Sequence, residues 1–197
     1  PIPSRGLGDV YKRQPYNNER VVFDGTVPID SAWSQHNGNI WKTSIDFDVW
    51  QLFVDQEEQV MARWPNASFS DGSVFDTENH WGHGTMKQTN PNIYNNGTLI
   101  HDPRVNEKGE LIDLSLQGFD LDESDKEAIG ILNVGSFRTW SRKISSHNGN
   151  TFTYNPVPQN EWKTKEHQYF LEGRLEFLDT EGEWFLDTTT CLLYTSP

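Results

Sequence analysis

The chain has little of the chemistry that would cross-link a small fold or anchor it in a membrane. It has one cysteine in 197 residues, which excludes an internal disulfide. No run of sequence approaches the roughly eighteen apolar residues that a membrane-spanning helix needs. Basic residues are scarce as well, since 16 lysines and arginines stand against 29 acidic residues, for a formal net charge of −13. Because such a surface repels phosphate backbones, nucleic acid is not expected as a partner.

Both ends of the chain resemble translated library DNA. Residues 4–14 (SRGLGDVYKRQ) resemble a translated adapter from transposase-based library preparation, and residues 191–196 (CLLYTS) resemble its reverse complement. We therefore predict that residues 1–14 and 191–197 are adapter-derived and that residues 15–190 are an internal piece of a longer protein. That piece has no cysteine, so cysteine-based metal sites and thiol catalysis are not expected in it, and it keeps 13 basic and 28 acidic residues.

Between residues 20 and 184, short runs of alternating polar and apolar residues predict an all-β chain. Residues 67–103 are rich in Ser, Asn, Gly, Asp and His with scattered aromatics, and we expect long loops there with at most one short element. Residues 169–179 fit a strand or a helix, and the spacing of Phe170, Arg174 and Phe177 favours a helix. Strands are predicted over residues 20–23, 26–29, 39–44, 128–134 and 137–144, with hairpins joining 50–55 to 59–64 and, through a type I′ turn at Asn148-Gly149, 143–147 to 151–154.

Three motifs carry a family resemblance: QLFVD at 51–55, MARWPN at 61–66 and LDTEGEWFLD at 178–187. In this order they resemble large secreted bacterial proteins with right-handed parallel β-helix repeats that act on polysaccharides, including the glycoside hydrolases of families 120 and 141 and uncharacterised relatives. The resemblance implies a β-sandwich-like or irregular barrel insert flanked by the edge of a right-handed parallel β-helix. It implies an edge coil over residues 15–33, the inserted domain over 34–178 and a return toward the β-helix over 179–190.

The resemblance also implies a function. The catalytic carboxylates of the family lie on later coils, so no catalytic residue is expected in this chain, and the piece alone should be inactive. The parent would be a glycoside hydrolase, or less readily a polysaccharide lyase, that is secreted, periplasmic or on the cell surface. Its partner would be a polysaccharide or oligosaccharide. The sequence departs from the family at Gln56, where relatives usually have glycine in the hairpin turn, and after Asp187, where the adapter-like segment replaces the expected strand.

Arg63 and Trp64 are the first candidates for substrate binding. The indole of Trp64 could stack on a pyranose ring while the guanidinium of Arg63 forks to a carboxylate or a pair of hydroxyls. The alternative is structural, with Trp64 in the core and Arg63 paired with an acidic residue such as Asp55. The structural interpretation is favoured, because an aromatic side chain in a strand packs more often than it binds.

Arg138 and Trp140 raise the same question. Alternation places Arg138, Trp140 and Arg142 on one side of a strand. This stripe could bind an anionic glycan, or it could be cation–π stacking on an exposed sheet face. Again the structural interpretation is favoured.

His80, Trp81 and His83 lie in a loop-like segment (HWGHG). Two imidazoles at this spacing could ligate a metal, but a loop fixes no geometry and no third ligand is near. We expect these residues to line a substrate groove or to form an ordinary aromatic loop. No cofactor is expected.

Two other functions stay open. A carbohydrate-binding module would place Trp64, Trp81 and Trp140 in one solvent-facing row, whereas a cap on a β-helix would bury at least two of them. A purely structural cell-surface solenoid is the third possibility, and the sequence does not indicate an oligomeric state. The Gly182-Glu183-Trp184 corner is expected to be architectural, with Trp184 in the core and Glu183 bonding a strand edge.

Overall fold

The computed structural model of the chain describes residues 17, 19–22, 24–86, 97–102, 116–123, 128–135, 138–157 and 166–197, without the side chains of Thr85, Met86, Arg138 and Glu166. The chain divides into two compact units, residues 1–30 and residues 31–197. The predicted adapter segment at residues 1–14 lies outside the described residues. None of the described helices is long and apolar enough to cross a membrane.

In the first unit the predicted strands are not found. Described residues 20–22 and 24–29 lie in no strand, and Val21, Val22 and Val27 are each more than half exposed. Asp24 instead accepts hydrogen bonds from the main-chain N and Oγ1 of Thr26, at 2.8 and 2.7 Å, which turns the chain locally. A strand needs a neighbour for its backbone groups, and no ladder pairing joins these residues to one. The β-helix coil over residues 15–33 remains a prediction.

The second unit confirms the all-β fold. Its described residues form strands and short 3-10 turns, with no α-helix. The 3-10 turns are Ser73–Phe75, Leu116–Gly118 and Leu175–Phe177. The strands are β1 (Ser34–Asn37), β2 (Ile40–Ser44), β3 (Leu52–Val54), β4 (Glu57–Met61), β5 (Arg63–Trp64), β6 (Gly82–Met86), β7 (Thr98–His101), β8 (Ile129–Gly135), β9 (Arg138–Asn148), β10 (Thr151–Tyr154), β11 (Glu166–Glu172), β12 (Glu183–Asp187) and β13 (Leu192–Ser196).

One sheet has six strands in the order β1-β2-β13-β12-β4-β3 and curves into a half-barrel. Its neighbouring strands are antiparallel except β4 and β12, which run parallel. Hydrogen bonds from Val60 N to Gly182 O, at 2.9 Å, and from Ala62 N to Trp184 O, at 2.7 Å, extend this parallel pair. The sheet thereby joins the motif at 61–66 to the motif at 178–187.

The adapter-like residues at the C-terminal end take part in this sheet. β13 lies between β2 and β12, and Leu193 is fully buried. Leaving residues 191–197 out of the fold therefore misses a strand. The run LLYTS is rich in β-favouring side chains, and such a run forms a ladder whatever the origin of its codons. The adapter origin itself stays a prediction.

The other sheet closes on itself. Its order is β5-β11-β6-β7-β10-β9-β8, and β8 pairs again with β11, so that six strands form a closed barrel with β5 beside β11. Side chains alternate along β11. His167, Tyr169 and Leu171 are fully buried, while Gln168 and Phe170 are partly exposed.

Tyr169 lies at the centre of the barrel core. Its ring centroid is 5.1 Å from that of Phe152 and 6.3 Å from that of Trp64. Its hydroxyl lies 2.8 Å from Nδ1 of His101, which gives the buried hydroxyl a hydrogen-bond partner inside the core. Each large apolar side chain buried in this way contributes about 1.5–3 kcal/mol to folding.

The helix favoured for residues 169–179 is wrong. β11 runs to Glu172, Gly173 has a φ of 86°, and the 3-10 turn Leu175–Phe177 follows. β11 has ladder partners in both β6 and β8, which satisfy its backbone groups as a strand. These partners outweigh the helix-like spacing of Phe170 and Phe177.

Residues 67–103 contain more regular structure than expected, because β6 and β7 belong to the barrel. Gly84 explains why β6 escaped prediction. A Cβ there would lie 2.3 Å from Cδ2 of Leu99 and 2.6 Å from the carbonyl oxygen of Ile100. Glycine weakens a strand signal in sequence, yet here it is what lets β6 and β7 approach each other.

Both predicted hairpins form. Asp55 and Gln56 join β3 to β4 with φ values of 50° and 71°. The β9–β10 turn is one residue later than predicted, because Asn148 pairs with Thr151 and leaves Gly149 and Asn150 as the central residues. Positive φ falls on Gly149, at 61°, so glycine takes the first central position, as in a type II′ turn, instead of the second.

Candidate functional site

β5 sends Arg63 and Trp64 to opposite sides of the barrel wall. Trp64 pairs in register with Leu171, and Arg63 pairs with Glu172. Because successive residues of a strand face opposite sides, Trp64 enters the barrel beside Leu171 while Arg63 lies outside it beside Glu172. Both side chains are nonetheless buried: Trp64 is 7% exposed and Arg63 is 4% exposed.

Trp64 is part of the core. Its ring makes edge-to-face contacts with His101 at 5.1 Å and with Phe119 at 6.1 Å, besides its contact with Tyr169. These arrangements suit the quadrupoles of aromatic rings and hold the indole within the barrel. The structure therefore gives Trp64 the position that the structural interpretation expected.

Arg63, His80, Trp81 and Phe170 come together on the outside of the barrel and are called the arginine cluster below. Nε of Arg63 donates to the carbonyl of Pro65 at 3.0 Å, and Nη2 donates to the carbonyl of His80 at 2.8 Å. The guanidinium carbon lies 3.8 Å from the ring centroid of Phe170 and 5.9 Å from that of Trp81. The two rings are themselves edge-to-face at 4.9 Å. The guanidinium is thus fixed by carbonyls along its edge and by rings across its face.

The ionisation of Arg63 is coupled to two carboxyl groups. Burial lowers the pKa of Arg63 to about 10, while Glu172 and Glu183 act in the opposite direction and favour its charged form. Sequence reasoning suggested Asp55 as the acidic partner, but Asp55 belongs to the β3–β4 turn. Glu172 takes the role because it is the register neighbour of Arg63.

Glu183 is the most buried of these carboxyls, with no exposed surface. Its Oε1 accepts from the main-chain N of Arg63 at 3.4 Å, and its Oε2 has no hydrogen-bond partner among the described residues. Burial raises the pKa of Glu183 to about 8, and the charge of Asp179 adds to the shift. Burial also raises the pKa of Glu172, although Arg63 opposes it. Glu183 is therefore mostly protonated at neutral pH.

His80 and His83 are held by carbonyl groups. Nδ1 of His80 donates to the carbonyl of Asn66 at 3.1 Å, and Nε2 of His83 donates to the carbonyl of Thr77 at 3.1 Å. Across the part of the chain that the structure describes, no three His, Cys, Asp or Glu side chains are grouped so that they could hold a metal ion. Both imidazoles are partly exposed and lie at the start of β6.

Trp140 lies apart from the arginine cluster, on β9. It pairs in register with the buried Leu132 and packs against the core, and the guanidinium carbon of Arg142 lies 5.6 Å from its ring centroid. This is the cation–π contact that the structural interpretation expected. The side chain of Arg138 lies outside the described residues.

The three tryptophans of the predicted row do not share one solvent-facing surface. Trp64 is inside the barrel, Trp140 packs against the core from β9, and Trp81 is partly exposed in the arginine cluster. The structure brings together Arg63, His80 and Trp81 of the predicted site residues, with His83 two residues further along.

Sequence reasoning missed two features next to this cluster. Phe170 and Glu172 were assigned to a helix, so their contacts with Arg63 could not be foreseen. The aromatic residues of the loop at 66–80 were given no role by the sequence, whereas the structure exposes Phe69 to 39% and Phe75 to 79%. A pair of large apolar residues in a stretch of Ser, Asp and Gly was the signal that could have drawn attention to it.

Comparison with known proteins finds a likeness of fold to a solved structure. No family model matches the sequence, and no curated protein matches it. A solved structure described as a glycoside hydrolase shares the fold, with a TM-score of 0.52 and 17% sequence identity over 85% of this chain. The chain spans 28% of the length of that hydrolase. The likeness is one of fold, and it relates this chain to part of a larger protein.

Proposed function

We propose that the chain forms a carbohydrate-contacting domain of a larger, secreted glycoside hydrolase and carries none of its catalytic residues. The unequal coverage supports this proposal: 85% of the chain superposes on only 28% of a glycoside hydrolase. A unit with this fold therefore occurs inside a hydrolase as one part of it. In such a protein the unit would cap parallel β-helix coils and form one wall of the substrate groove.

The two described carboxyl groups with raised pKa values fit a structural role. Glycoside hydrolysis uses two carboxyl groups that flank the scissile bond. Glu172 and Glu183 have the raised pKa values that a catalytic acid needs, but both act on Arg63, and Glu183 has no exposed surface. A carboxyl group that a substrate cannot reach serves the fold and not the reaction.

The pairing of β4 with β12 supports the link to a β-helix. Stacked coils of a parallel β-helix pair in this direction, whereas the other ladders of the half-barrel are antiparallel. Such a stack leaves an open edge, which has to be covered. We propose that the half-barrel meets the coils and that the closed barrel, with the arginine cluster, faces the substrate.

His80, Trp81 and His83 are the predicted site residues that this proposal makes contact residues. Each is partly exposed, and each is held by contacts within the fold, so it could bind a sugar with little loss of side-chain freedom. Arg63 would act by positioning Trp81, since its Nε and Nη2 donate to the carbonyls of Pro65 and His80.

The test combines binding with turnover. The 197-residue chain would be run in native gels that contain soluble plant or marine polysaccharides, and the same polysaccharides would be assayed for released reducing ends. We expect retardation by at least one polysaccharide and no release. Trp81→Ala should weaken the retardation, whereas Trp41→Ala, which alters a 40% exposed indole on β2, should not. Absence of retardation in every gel, or release of reducing ends above that of a heat-inactivated sample, would overturn the proposal.

A further inference from the structure

The loop of residues 66–80 presents two aromatic rings to solvent. Phe75 is 79% exposed and Phe69 is 39% exposed, and their ring centroids lie 6.3 Å apart at an interplanar angle of 61°. Phe69 therefore meets Phe75 edge to face and leaves most of the Phe75 ring open. Two large apolar side chains exposed side by side form a small patch of the kind that can mark a binding surface.

This aromatic loop is held in place by its own hydrogen bonds. Ser68 N donates to Oγ of Ser73 at 2.7 Å, and Ser73 N donates to Oδ1 of Asp71 at 2.8 Å. Asp76 accepts from the side chain of Asn79 at 2.8 Å. The 3-10 turn Ser73–Phe75 lies between these bonds. The rings are thus positioned before any ligand arrives, which lowers the entropy cost of binding.

Hydrogen bonds at Asn66 and His80, the first and last residues of the loop, fix it to the rest of the fold. Nδ2 of Asn66 donates to Oδ1 of Asp179 at 2.8 Å, and the carbonyl of Asn66 accepts from the ring of His80. His80 in turn belongs to the arginine cluster through its carbonyl contact with Arg63. Hydrogen bonds through His80 therefore connect the aromatic loop to the arginine cluster.

The size of the ring pair indicates the class of ligand. Two phenylalanine side chains cover at most about 400 Å², which is below the roughly 800 Å² that each partner of a stable protein–protein interface buries. The flat face of one sugar ring fits a single phenyl ring. The polar neighbours also fit a sugar, since the exposed side chains of Ser70, Asp71 and Asn79 can exchange hydrogen bonds with hydroxyl groups.

The negative charge of residues 66–86 indicates which class of glycan the loop can bind. Residues 66–86 contain Asp71, Asp76 and Glu78 but no lysine or arginine. Hydrogen bonds from Ser73 lower the pKa of Asp71, and those from Asn79 lower the pKa of Asp76, so both carboxyls are ionised at neutral pH. Like charges placed side by side repel, so a glycan with carboxylate or sulfate groups is disfavoured here.

We infer that the aromatic loop is a stacking platform for an uncharged glycan, with the apolar face of a sugar on Phe75 and with Phe69 as its brace. This inference rests on the proposed function and adds to it a site and a substrate class. Sequence reasoning had considered an anionic glycan on the arginine stripe of β9. The loop instead selects for hydroxyl groups and against negative charge.

The experiment compares two phenylalanines and two sets of glycans. Native gels would contain either a neutral polysaccharide, such as a β-glucan, a xyloglucan or a galactomannan, or an anionic one, such as alginate or polygalacturonate. The 197-residue chain would be compared with Phe75→Ala, with Phe75→Tyr, which keeps a ring, and with Phe47→Ala. Phe47 is 42% exposed and lies outside the loop, so it is the matched control. Circular dichroism would show that each variant is folded.

We expect a neutral glycan to retard the chain, and Phe75→Ala to bind it about tenfold more weakly. Phe75→Tyr and Phe47→Ala should bind as the unaltered chain does, and added salt should change little, because no ion pair is involved. If the chain binds a neutral glycan and Phe75→Ala binds it equally well, the platform is refuted while the proposed function stands. Binding to anionic glycans alone, weakened by salt, would refute the substrate class. Binding to no glycan would overturn both proposals.

Discussion

The main-chain amide of Arg63 donates to Oε1 of Glu183, a residue 120 positions further along the chain, at 3.4 Å. Asn66 and Asp179 meet beside this contact, with Nδ2 of Asn66 2.8 Å from Oδ1 of Asp179. The motifs at 61–66 and 178–187 therefore form one junction, where the half-barrel passes into the closed barrel. Their joint occurrence in the sequence has a structural cause, since each supplies the partner that the other needs.

Replacing Glu183 by Gln should remove a pH dependence of stability. The carboxyl ionises near pH 4.5 in the unfolded chain and near pH 8 in the folded one. Between these values the folded state holds a proton that the unfolded state has released, so the free energy of unfolding falls as pH rises, by at most about 1.4 kcal/mol per pH unit. Glu183→Gln cannot ionise, so it should match the unaltered chain at pH 5 and exceed its stability by on the order of 3 kcal/mol at pH 8.

Urea denaturation at pH 5, 6, 7 and 8 measures this difference. Glu181→Gln is the control, because Glu181 is exposed and lies only two residues away. It should keep the slope of the unaltered chain. Parallel pH profiles for the unaltered chain and Glu183→Gln would show that Glu183 does not hold its proton in the folded state.

Alternation predicted the strands whose two faces differ most in burial. β8 and β10 were placed within one residue because every second side chain enters the barrel, as Leu132 and Val134 do on β8. The pattern could not say which of Arg63 and Trp64 faces the core. That choice depends on the register of β5 with β11, a partner that lies far along the chain.

The candidate site was less predictable than the fold. Three of its features depend on tertiary structure: the ring of Phe170 over Arg63, the burial of Glu183 and the exposure of Phe75. A phenylalanine in a polar stretch can be a core residue or a surface residue, and local sequence does not distinguish them. The acidic partner of Arg63 was misjudged for the same reason, because Glu172 is brought beside it by strand pairing and lies far along the chain.

Arg63→Lys should destabilise the protein even though it keeps the charge. A lysine cannot donate from Nε and Nη2 positions to Pro65 and His80 together, and it cannot lie flat on Phe170. We expect a loss of about 2 kcal/mol in the free energy of unfolding. Arg142→Lys is the matched control, because Arg142 is partly exposed and its guanidinium carbon lies 5.6 Å from the ring centroid of Trp140. It should lower the free energy of unfolding by about 0.5 kcal/mol or less. Equal losses in the two variants, in urea denaturation, would refute the special role of Arg63.

Gln56→Gly should stabilise the β3–β4 hairpin. Gln56 has a φ of 71°, a left-handed conformation that costs an L-residue about 1–2 kcal/mol and costs glycine little. Part of this gain is offset by the greater freedom of glycine in the unfolded chain, so we expect a net gain of about 0.5–1 kcal/mol.

Gly149→Ala is the reverse test. Its φ is 61° and nothing lies within 4 Å of its Cβ position, so only backbone strain should lower its stability, by about 1 kcal/mol. In thermal unfolding, the midpoint temperatures of the two variants should shift in opposite directions. A shift of both midpoints in the same direction would contradict the left-handed geometry of one of the turns.

Gly84→Ala should strongly destabilise the barrel. Its Cβ would lie 2.6 Å from the carbonyl oxygen of Ile100, which belongs to the paired strand β7 and cannot move without breaking the ladder. Removing this clash would require β6 to separate from β7. We therefore expect the free energy of unfolding to fall by about 3 kcal/mol, which is at the upper end for an overpacked site. Gly118→Ala adds the same methyl group where nothing lies within 4 Å, and should change stability by no more than about 0.5 kcal/mol. Denaturation midpoints and near-ultraviolet circular dichroism would distinguish the two variants. If Gly84→Ala were as stable as Gly118→Ala, β6 and β7 could not be as close as the structure places them, and the closure of the barrel at this point would be wrong.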